Sequence, residues 1–171
     1  MSIVYQIVKS HRGITEIRSE QKKGTTFLLR LPSCALPGHL EWTQQHAVGI
    51  PTIDKQHLRC LSLLNSLHLV MMGEKSRKAA SDILIDLQDH LVEHFKHEEV
   101  LFLQTQYPER EQHKQLHDAF LEKFVAMTCK IKDPTALPTL DEEELVRNWL
   151  REHILSADHK YATHLMQYGI V

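Results

Sequence analysis

The sequence predicts an all-α protein, an up-down-up-down four-helix bundle with a short N-terminal helix-hairpin appendage. Beyond residue 39, apolar side chains recur at steps of three and four residues in four successive segments, which is the period of a buried helix face. Each segment is bounded by residues that begin or end helices, and the connections are short. Short connections favour antiparallel neighbours, so the four helices are expected to form one bundle.

Each helix is predicted from its own apolar stripe and its own boundaries. The predicted segments cover residues 53–73, about 76–105, 108–134 and 139–169. Gly73 and Gly169 are typical helix stops, and Pro108 suits a first helical position. Thr139 and Glu142 have the spacing of a capping box, which predicts the start of the fourth helix.

The first 32 residues have a different pattern. An apolar stretch over residues 3–8 predicts a short helix, and the alternating segments 14–19 and 25–31 predict a hairpin whose turn covers residues 21–24. The prolines and glycine of residues 32–38 predict a linker, so we divide the chain into an appendage of residues 1–32, a linker of 33–39 and a domain of 40–171. A helix and a hairpin of this size bury too little surface to fold alone.

Composition excludes several classes of protein. The chain has 171 residues, 42% hydrophobic and 25% charged, and its net charge of −2 offers no basic surface to a nucleic acid or an anionic membrane. No apolar run is long enough to span a bilayer and no signal peptide is recognisable, so we expect a cytoplasmic protein. The three cysteines form no CxxC pair, which argues against a disulfide framework or a thiolate zinc site. We expect Cys60 and Cys129 in the core and Cys34 as a free thiol in the linker.

The 13 histidines are the unusual feature of the composition, and several of them fall on the apolar stripes. The polar residues at predicted interior positions are His57, His94, Glu98, His113, His117, His153 and Asp158. A buried imidazole or carboxylate is costly unless it is paired, hydrogen-bonded or bound to a metal. The pairs His94/Glu98 and His113/His117 are spaced to project from one face of a helix. His153 and Asp158 are five residues apart and diverge by about 140° on a regular helix, so they need a reach from the side or a local bulge.

A single histidine on an apolar stripe is usually a hydrogen-bonded core residue. Here all four helices contribute, and five imidazoles with two carboxylates favour metal binding inside the bundle. Seven donors exceed one site, whereas two metals that share the carboxylates could use them all. Imidazole and carboxylate ligands without thiolate suit iron or manganese better than zinc. If three histidines bind one metal and two bind the other, one position stays open for a small diatomic ligand.

These residues resemble the bacteriohemerythrin family over roughly residues 40–168. The positions that carry the resemblance are Trp42, Gly49-Ile50, Ile53-Asp54, Gln56-His57, His94-Phe95, Glu98-Glu99, Tyr107-Pro108, His113, His117, Trp149-Leu150, His153-Ile154 and Asp158. The resemblance implies a non-haem centre of two iron ions that binds dioxygen reversibly. It implies that His113, His117 and His153 hold one iron, that His57 and His94 hold the other, and that Glu98 and Asp158 bridge them. It also places Trp149, Leu150 and Ile154 around the oxygen pocket.

Residues 1–32 resemble the C-terminal end of a histidine-kinase ATP-binding domain. The motifs of that family that bind magnesium and adenine are missing here, as is a phospho-accepting histidine, so we expect neither ATP binding nor phosphotransfer. The segment suggests a signalling partner. Three functions therefore remain open: an oxygen carrier, an oxygen or redox sensor derived from a kinase, and a di-iron oxidase or peroxidase, which the imidazole-rich site disfavours.

The remaining histidines are expected to be solvated or hydrogen-bonded. His90 and His97 lie one turn either side of His94 and could compete with it as ligands. Asp54 and Gln56 are expected to start the first helix and to support the ligands from behind.

Overall fold

The structure is a computed structural model that describes residues 14–20, 24–30, 39–73, 79–130 and 136–171. The chain divides into two compact units, Met1–Pro37 and Gly38–Val171. The helix predicted over residues 3–8, most of the linker and Cys34 lie outside the described residues.

The first unit contains the predicted hairpin. Strand β1 (Ile14–Glu20) pairs antiparallel with β2 (Gly24–Arg30), and Ile17 lies opposite Phe27 in the register. Gly24 has a φ of +110°, which few residues other than glycine adopt.

The second unit is the predicted helical bundle. Its helices are α1 (Pro51–Met71), α2 (Ala79–Thr105), α3 (Arg110–Lys130), α4 (Leu140–Glu152) and α5 (His159–Gln167). A π-helical segment, His153–Asp158, joins α4 to α5, so that the three together form the fourth helix of the bundle. A single 3-10 turn, Gln44–His46, precedes α1. No helix in the described part of the chain is long and apolar enough to cross a membrane.

Local capping fixes where the helices begin. The carboxylate of Asp54 accepts hydrogen bonds from the backbone N–H groups of Val48 (2.8 Å) and Gly49 (3.2 Å), which ties the preceding loop to α1 as expected for a helix-start residue. Thr139 and Glu142 form the predicted capping box at the start of α4. Gly49 has a φ of +83°, so the loop favours glycine there, and a Cβ would lie 2.7 Å from Met166 Cε, which the end of that flexible side chain would have to vacate.

The core consists of two apolar clusters at successive levels of the bundle. One cluster includes Cys60, Phe95 and Phe120, and the other includes Ile53, Phe102 and Tyr161. On α1 His57 lies between Ile53 of one cluster and Cys60 of the other, and on α2 Glu98 lies between Phe95 and Phe102, so these candidate ligands are buried where the two clusters meet. Cys60 is buried as predicted, but the prediction for Cys129 is wrong because this residue is exposed.

Candidate metal centre

Four helices bring the seven predicted polar residues together in the bundle interior. His57 comes from α1, His94 and Glu98 from α2, His113 and His117 from α3, and His153 and Asp158 from the π-helical segment. Their exposed fractions lie between 0% and 5%. Because the apolar stripes face the core, the polar residues on those stripes are carried inward with them.

The ligand atoms form two overlapping groups. One comprises Glu98, His113, His117 and His153, and the other comprises His57, His94, Glu98 and Asp158. Each residue contributes one ligand atom, and within each group these atoms all lie within 4.8 Å of one another. Glu98 belongs to both groups, so the arrangement is suited to two neighbouring metal ions.

Both carboxylates divide their oxygen atoms between the two sides of the site. Glu98 Oε1 lies 3.5 Å from His94 Nε2, and its Oε2 lies 3.2 Å from His117 Nε2. Asp158 Oδ2 lies 3.1 Å from His57 Nε2, and its Oδ1 lies 3.2 Å from His153 Nε2. A carboxylate with one oxygen towards each of two histidine groups is in the position of a bridging ligand.

The π-helical segment explains how His153 and Asp158 reach the same site. On a regular helix, residues five apart diverge by about 140°. The wider π turn pairs residue i with residue i+5 and so brings such residues onto one face. Of the two solutions that the sequence leaves open, the structure has the local bulge.

The buried atoms of this site lack the partners that buried polar groups normally have. Within the described residues, eight buried side-chain nitrogen and oxygen atoms have no hydrogen-bond partner, and all of them belong to this set of residues. Nε2 of His117 and Nε2 of His153 lie 3.0 Å apart, so these two ring nitrogens are directed towards the same point in the site. Unpartnered donors and acceptors at this depth are costly, and bound cations would satisfy those that face the site, which are the Nε2 atoms and the carboxylate oxygens. The residues present therefore fit a pair of metal ions.

The electrostatics of the site point the same way. Burial lowers the pKa of His94 and of His153 to about 4 each, which leaves both imidazoles neutral and able to donate a lone pair. Burial and the charge of Glu98 act to raise the pKa of Asp158. The opposite effect of His153, His113 and His57 is larger and lowers this pKa to about 2. Burial likewise acts to raise the pKa of Glu98, and the neighbouring histidines hold it well below its usual range. Two ionised carboxylates are thus buried side by side, and they require positive charge.

The two remaining imidazoles respond to these carboxylates. Burial acts to lower the pKa of His113, but Asp158 and Glu98 raise it to about 9. Burial also acts to lower the pKa of His57, and Asp158 raises it above its ordinary value. In the absence of a metal, protons on these two histidines supply part of the charge that metal ions would supply.

A glutamine supports the ligands from behind, as the sequence predicts. Gln56 Oε1 accepts hydrogen bonds from Nδ1 of His94 (3.2 Å) and Nδ1 of His97 (3.0 Å). His90 Nε2 donates to the backbone carbonyl of Gln56 at 2.9 Å. His90 and His97 are thus hydrogen-bonded neighbours of the site, and neither belongs to the two ligand groups.

A buried tyrosine is the contact that sequence reasoning missed. The Tyr161 hydroxyl donates a hydrogen bond to Oε1 of Glu98. The signal was present in the sequence, since Tyr161 follows Asp158 by three residues on the fourth apolar stripe. The apolar period alone predicts a core position for Tyr161, and its ring does lie in the core.

Aromatic rings pack on the histidines that hold one side of the site. Phe95 stacks on His117 with ring centroids 3.8 Å apart, and Trp149 stacks on His153 at 4.3 Å. Leu150 and Ile154 are 1% and 0% exposed and belong to the adjoining apolar cluster. Trp149 therefore contacts the predicted ligand set directly, while Leu150 and Ile154 lie in the apolar packing next to it.

The chain matches the family described as Hemerythrin HHE cation binding domain over residues 48–165. It is 30% identical to a bacteriohemerythrin of Stenotrophomonas maltophilia over 136 residues, which is 76% of this chain and 86% of that protein. It is also 30% identical to a hemerythrin-like protein of Naegleria gruberi over 128 residues, or 74% of this chain and 93% of that one.

Solved structures agree with the sequence comparison. The crystal structure of wild-type hemerythrin superposes with a TM-score of 0.66 at 28% identity and covers 74% of this chain and 97% of that chain. Proteins of this family bind a pair of iron ions, and the buried histidines and carboxylates described above are placed for such a centre. The chain belongs to the hemerythrin family.

Proposed function

We propose that the chain binds dioxygen reversibly at its di-iron centre and acts as an oxygen carrier, store or delivery protein in the cytoplasm. The observation that carries the proposal is the unequal division of the imidazoles. His113, His117 and His153 face one side of the site, and His57 and His94 face the other, while Glu98 and Asp158 reach both sides. The side with two imidazoles has one protein ligand fewer, which leaves a position for a small molecule.

Neighbouring side chains fix the orientation of several proposed iron ligands before dioxygen binds. His94 donates its Nδ1 proton to Gln56, so the Nε2 lone pair is directed into the site. Tyr161 holds Glu98 by a hydrogen bond to one oxygen, and Phe95 and Trp149 hold the rings of His117 and His153 by stacking. These residues would hold two ferrous ions, which would supply electrons to dioxygen and recover them when it leaves.

Burial favours oxygen binding over oxidation of an organic substrate. Every proposed ligand is 5% exposed or less, so only a small molecule can reach the centre without rearrangement of the bundle. Trp149 stacks on His153, and Leu150 and Ile154 belong to the adjoining apolar cluster. We assign this packing the role of keeping water and protons out of the site as a whole.

The first test is the metal content and optical spectrum of the purified chain, reduced without oxygen and then exposed to air. We expect two irons per chain, a colour that appears in air and disappears when oxygen is removed, and repeated cycles without consumption of a reductant. Iron that oxidises once and does not return, or steady oxygen consumption with an electron donor, would contradict the carrier proposal.

A matched pair of substitutions on α2 tests the ligand assignment. His94→Ala should lose iron, because its Nε2 faces the site. His97→Ala should retain iron, because its Nδ1 binds Gln56 and the residue belongs to neither ligand group. The opposite result would show that the register assigned to α2 is wrong.

The N-terminal unit supports a second candidate, an oxygen or redox sensor that signals to a partner. Ile17 and Phe27, which face each other across the hairpin, are 61% and 64% exposed. Large apolar side chains in such a position are typical of a contact surface. Hydrogen exchange of the hairpin amides, compared between reduced and oxygenated protein, tests this role. A sensor should change the exchange rates, whereas a carrier should leave them unchanged.

A further inference from the structure

Two buried nitrogen atoms of the metal centre would remain without a partner even if metal ions occupied it. Of the eight unpartnered atoms, six are Nε2 or carboxylate oxygen atoms that face the site, and the other two are Nδ1 of His57 and Nδ1 of His117. An imidazole that binds a metal through Nε2 carries its proton on Nδ1, so each of these two atoms then becomes a hydrogen-bond donor. A buried donor without an acceptor is costly, so an acceptor is expected nearby.

The carboxylate of Glu99, on α2, lies opposite one of these nitrogens. Glu99 Oε1 is 4.0 Å from Nδ1 of His117. An N–H···O hydrogen bond has a length of about 2.9 Å, so a shift of about 1 Å would close this contact. Glu99 follows the proposed bridging ligand Glu98 in the sequence, but it belongs to neither ligand group. Its carboxylate is therefore available to accept a hydrogen bond from behind the ligand.

The ring of His117 is held in place, whereas the side chain of Glu99 has room to move. Phe95 stacks on the imidazole with ring centroids 3.8 Å apart and planes inclined by 7°. Nε2 of His117 faces the site, 3.2 Å from Glu98 Oε2. The side chain of His117 is 0% exposed, and that of Glu99 is 29% exposed. The contact is therefore closed by movement of the carboxylate towards a fixed ring.

A surface ion pair on α3 keeps the nearest cation from occupying Glu99. Lys114 Nζ donates to the two carboxylate oxygens of Asp118 at 2.7 and 2.9 Å, and it lies 3.6 Å from Glu99 Oε1. The side chains of Lys114 and Asp118 are 45% and 58% exposed, and ion pairs at such positions contribute little to stability. A carboxylate can accept several hydrogen bonds, so Glu99 retains lone pairs for His117 beside this pair.

We infer that Glu99 is a positioning residue, which accepts a hydrogen bond from Nδ1 of His117 and so directs the Nε2 lone pair into the side of the site that has three imidazoles. Gln56 makes the corresponding contact on the other side, where its amide oxygen accepts from Nδ1 of His94. The two sides differ in charge, because a carboxylate acceptor makes the imidazole a stronger ligand than a neutral amide does. The inference rests on the metal centre of the proposed function but not on reversible oxygen binding.

The first experiment observes the hydrogen bond by nuclear magnetic resonance in the full chain, isotope-labelled at the histidine nitrogens. Zinc is loaded in place of iron because it is diamagnetic and has no redox chemistry. The ring protons of His117 are assigned through their contacts with the stacked ring of Phe95. We expect an Nδ1–H signal of His117 that exchanges slowly with solvent, and Glu99→Leu should make this exchange rapid. Glu99→Gln keeps a neutral acceptor and should retain the signal at a lower chemical shift, because hydrogen bonds to charged acceptors are stronger.

The second experiment measures the affinity for ferrous iron, without oxygen, by competition against a graded series of chelator concentrations. Glu99→Leu should lower the affinity for one of the two ions by about 10- to 100-fold, and Glu99→Gln should restore most of it. Glu93→Leu makes the same change at an exposed position of α2 and should have no effect. Lys114→Met removes the surface ion pair and leaves Glu99 in place, so it should retain both irons.

Three results would overturn the role of Glu99: equal exchange of the His117 Nδ1 proton in the unaltered chain and in Glu99→Leu, unchanged iron affinity in Glu99→Leu, or an equal loss of iron in Lys114→Met, which would assign Glu99 to the surface ion pair. The unaltered chain is also cycled between air and oxygen-free buffer. Failure of reversible oxygenation, with the slow Nδ1–H signal and the loss of affinity both present, would contradict the carrier role and leave the role of Glu99 standing. Normal oxygenation with unchanged iron affinity in Glu99→Leu would do the reverse.

Discussion

Replacing Gln56 by leucine removes the oxygen atom that fixes the orientation of one proposed iron ligand while keeping a side chain of similar length. Gln56 Oε1 lies 3.2 Å from Nδ1 of His94 and 3.0 Å from Nδ1 of His97. An amide oxygen has two acceptor positions, so it can accept both N–H groups at once. The proton held on Nδ1 of His94 leaves the lone pair of Nε2 facing Glu98 Oε1, 3.5 Å away.

The expected effect is a weaker hold on one of the two irons. Loss of a partner that orients a metal-bound histidine typically lowers metal affinity by about 10- to 100-fold, which corresponds to about 1.4–2.8 kcal/mol. The loss should fall on the ion held by His57 and His94, because Gln56 contacts that side of the site. Competition against a graded series of chelator concentrations, with iron counted per chain, measures the affinity of each ion.

Two further variants separate orientation from packing. Gln56→Glu keeps an acceptor oxygen at the same position, so it should retain both irons. Gln104→Leu makes the same change at an exposed position of α2 and should have no effect. Equal losses in Gln56→Leu and Gln56→Glu, or full iron retention in Gln56→Leu, would refute the argument that the hydrogen bond to His94 positions the ligand.

Three other predictions concern stability and access to the site. Thr139→Ala removes the capping-box hydroxyl that accepts from the Glu142 backbone N–H, and it should lower the free energy of unfolding by about 1 kcal/mol in urea denaturation. Leu150→Ala should accelerate the irreversible oxidation of the oxygenated protein, followed optically, because it opens the packing beside the site; Leu145→Ala, at a position 52% exposed, is the control. The metal-free chain should be most stable near neutral pH. His94 has a pKa of about 4 in the folded chain and 6.5 in the unfolded chain. Between these values only the unfolded chain binds the proton, so the free energy of unfolding decreases as the pH falls from about 6.5 to 4. His113 has a pKa of about 9 in the folded chain, so above pH 6.5 the folded chain keeps a proton that the unfolded chain releases, and this contribution to stability is lost as the pH rises towards 9. Urea denaturation at a series of pH values from 4 to 9 measures the decrease in stability on both sides of neutral pH.

The helical bundle could be predicted because its signal is repeated many times along the chain. Each helix carries several apolar residues at the same period, and single exceptions do not change the pattern. The same period located the site, since a polar residue on an apolar stripe must face inward whatever its chemistry. The prediction for Cys129 failed because it ignored this period. Met127 is buried, and a residue two positions further is rotated by about 200° on the helix, which places Cys129 on the exposed face.

What the sequence left undetermined depends on contacts between helices. The spacing of His153 and Asp158 required some departure from a regular helix, but spacing does not state which hydrogen bonds change, so a bulge and a side approach were equally compatible with it. Tyr161 shows the same limit more sharply. Its ring satisfies the apolar stripe completely, and its contact with the site is made by one hydroxyl whose partner, Glu98, is 63 residues away in sequence. A hydroxyl at the end of an apolar ring has no effect on the helical period, so only the relative positions of α2 and α5 could show that this core residue also donates a hydrogen bond to a proposed metal ligand.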